Sequence, residues 1–337
     1  MKQCLVLALL LCVSLAGYGQ LPRFTLVIHG GAGAMNGLSP AKQAAYQAGL
    51  TRALKAGYAV LKEGGTAVEA VTASIKVLED DSLFNAGKGA VFTYEGRNEL
   101  DASIMDGRDL KAGAVAGVTN VRNPITAARA VMEQSPHVMM AGKGAEHFAA
   151  AHGCTIVSPS YFYTSSRWLD LQRAKLKMTE ANSGNKTGML QAENPDWKYG
   201  TVGAVALDAY GHLAAGTSTG GMTAKRWNRI GDSPIIGAGT YACDSTCAVS
   251  CTGWGEYFIR LGIARSVADR MEYRREPLEN AANAMIFEKL AGLGGDGGLI
   301  ALDRKGNIAM PFNTAGMFRG YVREDGNIVT AIYPTAR

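Results

Sequence analysis

The chain has no run of five like charges and no stripe in which lysine and arginine gather among aromatic residues, which leaves nothing for a nucleic acid to recognise. Its net charge of +5 is spread along the sequence and names no partner. Proline is scarce, 10 residues in 337, and no glycine triplet repeats, so a collagen-like rod is excluded. Charged residues make up only 19% while apolar ones reach 47%, which excludes general disorder. At this length one large domain or two medium ones can bury a full core. Long apolar runs are almost absent. The one strong example, Leu5 to Ala16, falls short of the roughly 20 residues that span a bilayer. With Lys2 before it and Gly17 and Gly19 after it, it reads as a signal peptide over residues 1–20. The expectation is an exported protein, periplasmic or secreted, with no membrane association once the signal is removed.

Cysteine is sparse in the expected mature chain: Cys154, Cys243, Cys247 and Cys251. A bridge between Cys243 and Cys247 across Asp244-Ser245 and a set of buried strand thiols are both compatible with the spacing. Paired Cys-x-x-Cys units are missing, so a zinc site is not expected. Histidine is sparse too. His29, His137, His147, His152 and His212 fall into no triad or metal pattern. The stretch Gly31 to Gly37 misses the dinucleotide fingerprint by one spacing, and no phosphate-loop ending follows any glycine run.

Glycine is abundant, 42 of 337 residues against a usual share of about 7%. Phe24 to His29 reads as a strand entering the glycine loop 30–33. Ser39-Pro40 predicts a helix start, and Gly64-Gly65 its end. Thr66 to Glu69 is a capping box, with Ala67, Val71, Ile75 and Leu78 on one face of the helix it opens. Strands are expected over 84–93, 98–105 and 112–118, then helices over 125–134 and 144–152. A polar, turn-rich stretch from Glu180 to Tyr199 reads as a linker. After it come a hairpin over 200–219, strands at 235–239 and 248–252, helices at 255–273 and 277–293, and a last hairpin at 298–310. Helices and strands arrive in blocks, which predicts layered α and β elements, an α+β fold.

The remaining chemistry is hydroxyl, glycine and one charge pair. Thr217-Ser-Thr-Gly-Gly-Met222, Arg229-Ile-Gly-Asp232 and Ser250-Cys-Thr-Gly-Trp-Gly255 set a threonine or a charge beside glycines, which let a ligand approach the backbone. A hydroxyl nucleophile needs a base, and no histidine offers one. A threonine at a chain N-terminus can use its own α-amine, whose pKa of about 7.7–8.0 suits the task. Cleavage at Gly200-Thr201, between linker and strand, would create such a residue. From the residues alone, a β-branched residue opening a strand has the stronger claim. Arg229 and Asp232, three apart and opposite in charge, fit recognition of a zwitterion.

Seven stretches in order carry a family resemblance: His29-Gly-Gly-Ala-Gly33, Phe84-Asn-Ala-Gly87, Glu99-Leu-Asp-Ala102, Gly200-Thr-Val-Gly-Ala-Val-Ala-Leu-Asp208, Thr217-Ser-Thr-Gly-Gly-Met-Thr223, Arg229-Ile-Gly-Asp-Ser-Pro234 and Ser250-Cys-Thr-Gly-Trp-Gly-Glu256. Together, from Phe24 to about Arg319, they closely resemble the plant-type L-asparaginase or isoaspartyl peptidase family of N-terminal nucleophile hydrolases. The resemblance implies a four-layer αββα sandwich, two antiparallel sheets between helical layers. It implies a precursor that cuts itself at Gly200-Thr201 into subunits 21–200 and 201–337 of one domain, assembled as (αβ)2. Thr201 would be the nucleophile and Thr219 would tune its hydroxyl. Arg229 would bind the substrate α-carboxylate and Asp232 the α-ammonium. Thr252 and the Gly253 N–H would form the oxyanion hole, Gly255 would line the pocket and Asn85 would stand near the nucleophile. Substrates would be the side-chain amide of asparagine or the β-peptide bond of isoaspartyl dipeptides. Catalysis would need no cofactor. A structural sodium ion would be held by the backbone carbonyls of Leu78, Glu79, Asp81, Phe84, Ala86 and Lys88. Two rivals are glycosylasparaginase, which typically has Asp-Thr at the cleavage site, and an amino-acid binding protein that never matures.

Overall fold

The computed structural model describes residues 24–33, 35, 37–183 and 200–334. The expected signal, Cys4, Cys12 and most of the linker lie outside the described residues. The chain builds two sheets. Strands β1 (Thr25–Gly33), β2 (Leu100–Asp106), β3 (Ala112–Val118), β4 (Met139–Ala141), β5 (Val202–Leu207), β6 (Leu213–Thr219), β11 (Gly316–Arg323) and β12 (Ile328–Ala331) form the larger, in the order β12-β11-β1-β5-β6-β2-β3-β4. Strands β7 (Thr240–Ala242), β8 (Cys247–Gly253), β9 (Gly297–Asp303) and β10 (Ile308–Ala309) form the smaller. β1 lies between β5 and β11, with His29 opposite Gly203 on one side and Arg319 on the other. The first half of the sequence is thus built into the sheet of the second.

Alternation along the central strands divides the core in two. Leu26 and Ile28 of β1, with Val202 and Ala204 of β5, face helices α1 (Pro40–Lys62), α2 (Ala67–Glu79) and α3 (Pro124–Gln134) through Leu54, Val71, Ile75 and Ile125. Val27 and Val205 point the other way, towards Val249 and Leu299 of the smaller sheet. Beyond that sheet lie α6 (Gly255–Leu261), α7 (Ile263–Arg274) and α8 (Leu278–Asn283), whose Phe258, Val267 and Leu278 join the same cluster. Because β5 is covered on both faces, its sequence is a continuous apolar run. Each Val, Leu, Ile or Phe buried in this way contributes about 1.5–3 kcal/mol.

The helix starts follow their sequence signals. Lys42 N–H donates to Ser39 Oγ at 3.3 Å ahead of α1. At α2 the capping box closes both ways, Glu69 N to Thr66 Oγ1 at 3.3 Å and Thr66 N to Glu69 Oε2 at 2.8 Å.

Several expectations are corrected. Residues 84–93 hold a one-turn 3₁₀ segment, Gly87–Gly89, and no strand, because Gly87 takes a left-handed φ of 50° and the Asn85 side chain accepts the Val91 N–H while its Nδ2 ties the loop to the distant Gly221 carbonyl. Residues 235–239 form a turn ahead of β7. The helix expected over 255–273 breaks at Gly262, which is left-handed at φ 54°. The larger sheet is not wholly antiparallel: β4 joins β3 in parallel, after a crossover through α3. The sequence reading did not place β4, β7, β11, β12, the 3₁₀ turn Pro159–Phe162 or α5 (Ser165–Ser183), which runs into the stretch read as linker. α4 (Gly142–Ala151) lies close to its expected place. All four described cysteines are free thiols. Cys247 and Cys251 are buried, and Cys243 Sγ meets Ser245 Oγ at 3.1 Å, so the buried-thiol reading holds for two of the three.

Candidate active site

Thr201 sits at the mouth of β5, 7% exposed, in a small open cleft. Its hydroxyl donates to Thr219 Oγ1 at 3.1 Å and lies 3.4 Å from Ser233 Oγ. Thr219 closes β6 and also accepts the Gly221 N–H at 3.0 Å, so its position is fixed from a second side. Upstream, Gly200 is pressed against the glycine loop that ends β1. A Cβ on Gly200 would lie 2.3 Å from Gly31 Cα, and Gly31 itself has φ 112°, so neither position admits a side chain. The bond between Gly200 and Thr201 is therefore held between a rigid strand and a backbone wall.

Arg229 and Asp232 line the same cleft. Asp232 is buried, and its Oδ2 has no hydrogen-bond partner among the described residues. Burial pushes this carboxyl up to about 7, with the Arg229 charge pulling the other way. A buried acceptor without a donor, beside a cation, is suited to a ligand that brings an ammonium group. Arg229 is not idle. Its Nε donates to Glu256 Oε1 at 2.8 Å and its Nη2 to Oε2 at 2.7 Å.

Three expected residues stand behind the cleft wall. Asn85 donates through Nδ2 to the Gly221 carbonyl at 2.8 Å and accepts from Val91 N at 3.0 Å, so it shapes the Gly220-Gly221 turn. Gly255 lies behind the charge pair, where a Cβ would come within 2.9 Å of Arg229 Nη2 and of Asp232 Oδ1. Thr252 is fully buried and accepts the Ala32 N–H at 3.3 Å, which ties β8 to the end of β1. Gly253, next in the chain, does line the cleft.

Some site residues were missed. Ser233, Met222 and Trp254 line the cleft, each beside a residue already singled out. Glu256 follows the Gly-Trp-Gly run, but it stands 27 residues from Arg229, so no local pattern pointed to their pairing. Deeper in lies a buried ion cluster: Lys225 Nζ is 3.5 Å from Glu99 Oε2 and 3.9 Å from Asp101 Oδ2. The carbonyl set of Leu78, Glu79, Asp81, Phe84, Ala86 and Lys88 belongs to the end of α2 and the loop after it. That loop folds back on itself, so that a Cβ on Gly87 would lie 2.4 Å from the Glu79 carbonyl oxygen. Among the described residues no group of three His, Cys, Asp or Glu side chains is placed to hold a metal.

The model of a family described as Asparaginase matches residues 22–332. The chain belongs to the asparaginase family. This asparaginase-family chain is an enzyme of the hydrolase class, and it is similar to the isoaspartyl peptidase of Escherichia coli (strain K12), 49% identical over 91% of this chain and 95% of that protein. It is also similar to the plant-type L-asparaginase of Pyrococcus abyssi, 40% identical over 90% and 97% of the two chains. A third relative, the isoaspartyl peptidase/L-asparaginase of Bos taurus, is 40% identical over 87% and 91%.

Proposed function

We propose that the chain is an autoprocessing threonine hydrolase that releases L-aspartate from β-aspartyl dipeptides and from L-asparagine. Cleavage at Gly200-Thr201 divides it into subunits 21–200 and 201–337 and frees the Thr201 α-amine. That amine accepts the Oγ proton while Oγ attacks the side-chain carbonyl of the substrate. The amide C–N bond breaks, and ammonia or the second residue's amine leaves with a proton. Water then hydrolyses the ester on Thr201. Arg229 takes the α-carboxylate and Asp232 the α-ammonium, while the Gly253 N–H on the cleft wall receives the developing oxyanion and Thr252 braces that backbone from behind. One observation carries the reading most: the unpartnered Asp232 oxygen and the Arg229 guanidinium share one cleft with the Thr201 hydroxyl.

Four further features belong to the same reading. The layers form an αββα sandwich, and processed chains pair as (αβ)2. The chain is exported. A sodium ion would be held by the folded loop after α2 through carbonyls alone, and no catalytic step depends on it.

On a denaturing gel, wild-type protein should run as two fragments divided before Thr201, and Thr201→Ala as one chain. The processed enzyme should hydrolyse β-aspartyl-leucine and asparagine, with glycosylated asparagine as the discriminating third substrate. A wild-type chain that stays whole and releases no aspartate overturns the reading.

A further inference from the structure

Arg167 stands where elementary rules disfavour an arginine. It lies in the first turn of α5, at the positive end of the helix dipole, and it is only 9% exposed. Its ion-pair contact is loose, with Nη1 3.9 Å from Asp170 Oδ2, beyond hydrogen-bonding distance. The close partners are instead two backbone carbonyls of the loop after α2. Arg167 Nε donates to Gly89 O at 2.9 Å and Nη2 to Leu83 O at 3.2 Å, where the Tyr46 hydroxyl also donates at 3.3 Å. A guanidinium suits this task because its donors are charged and spread in a fixed fork. Neither carbonyl belongs to the set expected to hold sodium, so the grip needs no ion.

Leu83 and Gly89 bracket Asn85, and Asn85 holds the next turn twice. Its backbone carbonyl accepts the Gly220 N–H at 3.2 Å, and its Nδ2 donates to the Gly221 carbonyl at 2.8 Å. The Gly221 N–H donates to Thr219 Oγ1 at 3.0 Å, which also accepts the Thr201 hydroxyl at 3.1 Å. Arg167 thus grips, on α5, the loop whose Asn85 is bonded to the turn that fixes Thr219. Its side chain lines a groove with Tyr46, Ser82 and Leu83, and this groove shares no lining residue with the cleft at Thr201. A small cation in solution can therefore reach the place of the guanidinium without entering the cleft.

We propose that Arg167 is a positioning residue for the nucleophile: by holding the Leu83 and Gly89 carbonyls it fixes Asn85, the Gly220-Gly221 turn and the Thr219 acceptor of the Thr201 hydroxyl. The proposal rests on the reading of Thr201 as the nucleophile. Substrate charges are assigned to another segment, 229–232, so loss of Arg167 shows in self-cleavage and kcat more than in KM.

The test compares Arg167→Ala, Arg167→Lys and Arg52→Met with wild type, using β-aspartyl-leucine and counting kcat per processed chain. Arg167→Ala should cut itself more slowly and lose about tenfold in kcat, the effect of losing charged hydrogen bonds to the loop, while KM changes less. Arg167→Lys keeps the charge without the fork and should show a smaller loss of the same kind. Arg52→Met removes an exposed ion pair to Asp81 on the same loop and should behave as wild type. Millimolar guanidinium should raise kcat of processed Arg167→Ala by about threefold, part of what was lost, and leave wild type unchanged. Tetramethylammonium, equally charged but without N–H donors, should not. Hydrogen exchange at the Gly220 and Gly221 amides should be faster in Arg167→Ala, by more than at the β9 amides, and normal in Arg52→Met. If Arg167→Ala does not fold, Arg167→Lys decides, and a Lys variant as active as wild type overturns the proposal. Unchanged kcat in Arg167→Ala, a loss confined to KM, or a loss that guanidinium leaves untouched would each overturn it too. Because exchange needs no turnover, a wild-type protein without activity would sink the hydrolase reading, while unchanged Gly220 and Gly221 exchange in Arg167→Ala would sink the grip.

Discussion

Glu256 grips Arg229 along one edge of its guanidinium, with the two bonds at 2.8 and 2.7 Å lying side by side. Burial works against the Glu256 carboxylate, yet the hydrogen bonds and charge of Arg229 hold it below its ordinary range. The pair fixes the plane of the guanidinium before any substrate arrives. Glu256→Gln can accept at only one oxygen and should let that plane rotate. The expected result is a KM for asparagine about tenfold higher, with kcat little changed, since the lost bond positions substrate and does not touch the reacting carbonyl. Steady-state kinetics on the processed enzyme checks it. A fall in kcat alone would contradict a positioning role.

Thr219 plays the matching part for the nucleophile. Thr219→Val preserves shape but removes the acceptor for both the Thr201 hydroxyl and the Gly221 N–H. Self-cleavage should slow, and kcat of processed enzyme should fall by roughly 10–100-fold, the effect expected from losing one or two polar contacts at a reacting hydroxyl. The time course of fragment appearance and single-turnover rates measure the two effects separately.

How far the sequence foretold this site depended on whether a residue's role is local. The capping box at Thr66 and the apolar face of α2 depend on neighbours three and four residues away, and both stand where the pattern placed them. The Arg229–Asp232 pair likewise came through as a pair, because three residues of turn keep the two groups together. β11 was missed although it flanks β1, since that partner lies about 290 residues away and its own alternation is broken by Gly316, Arg319 and Gly320; β12, which pairs only with β11, was missed with it. The strand expected at 84–93 failed for the opposite reason: apolar content was high, but one glycine conformation and one asparagine side chain redirected the backbone. Glu256 and Ser233 were invisible as site residues because only folding brings them to their partners.

The buried cluster of Lys225 with Glu99 and Asp101 makes a prediction about stability. Two carboxylates share one ammonium in a site where all three side chains are at most 4% exposed. Burial raises the Asp101 carboxyl, with the Lys225 charge opposing that rise. Lys225→Met keeps the volume but leaves buried Asp101 without a counter-charge and Glu99 with Arg97 alone, and should destabilise the protein by about 3–5 kcal/mol. Adding Glu99→Gln and Asp101→Asn should recover most of this. Denaturant unfolding of the three proteins measures it, and a single variant as stable as wild type would show that the cluster is incidental.

The raised carboxyl of Asp232 makes a prediction about pH. Its ordinary value is near 3.9, and burial lifts it to about 7 in the unliganded protein. An ammonium group binds only the ionised form. Above about pH 7 the site is ready and affinity should be flat. Below it, every binding event must first remove a proton, so affinity should weaken by about tenfold per unit as pH falls. The groups whose charges bear on Asp232 are Arg229, Glu256, Asp101 and Cys251. Cys251 is held as the neutral thiol by burial, and Glu256 is already ionised against Arg229, so neither supplies a competing transition near neutrality. The product L-aspartate is the suitable probe, because its inhibition constant reports binding without the chemical step, and the Thr201 amine, with an ordinary pKa of about 7.7–8.0, titrates on the alkaline side of the expected break. Measured from pH 5 to 8.5, that constant should rise tenfold per unit on the acid side. In Asp232→Asn it should be weak and should lose that slope. A wild-type profile without a break near pH 7, or an unchanged slope in Asp232→Asn, would remove Asp232 as the ammonium's partner.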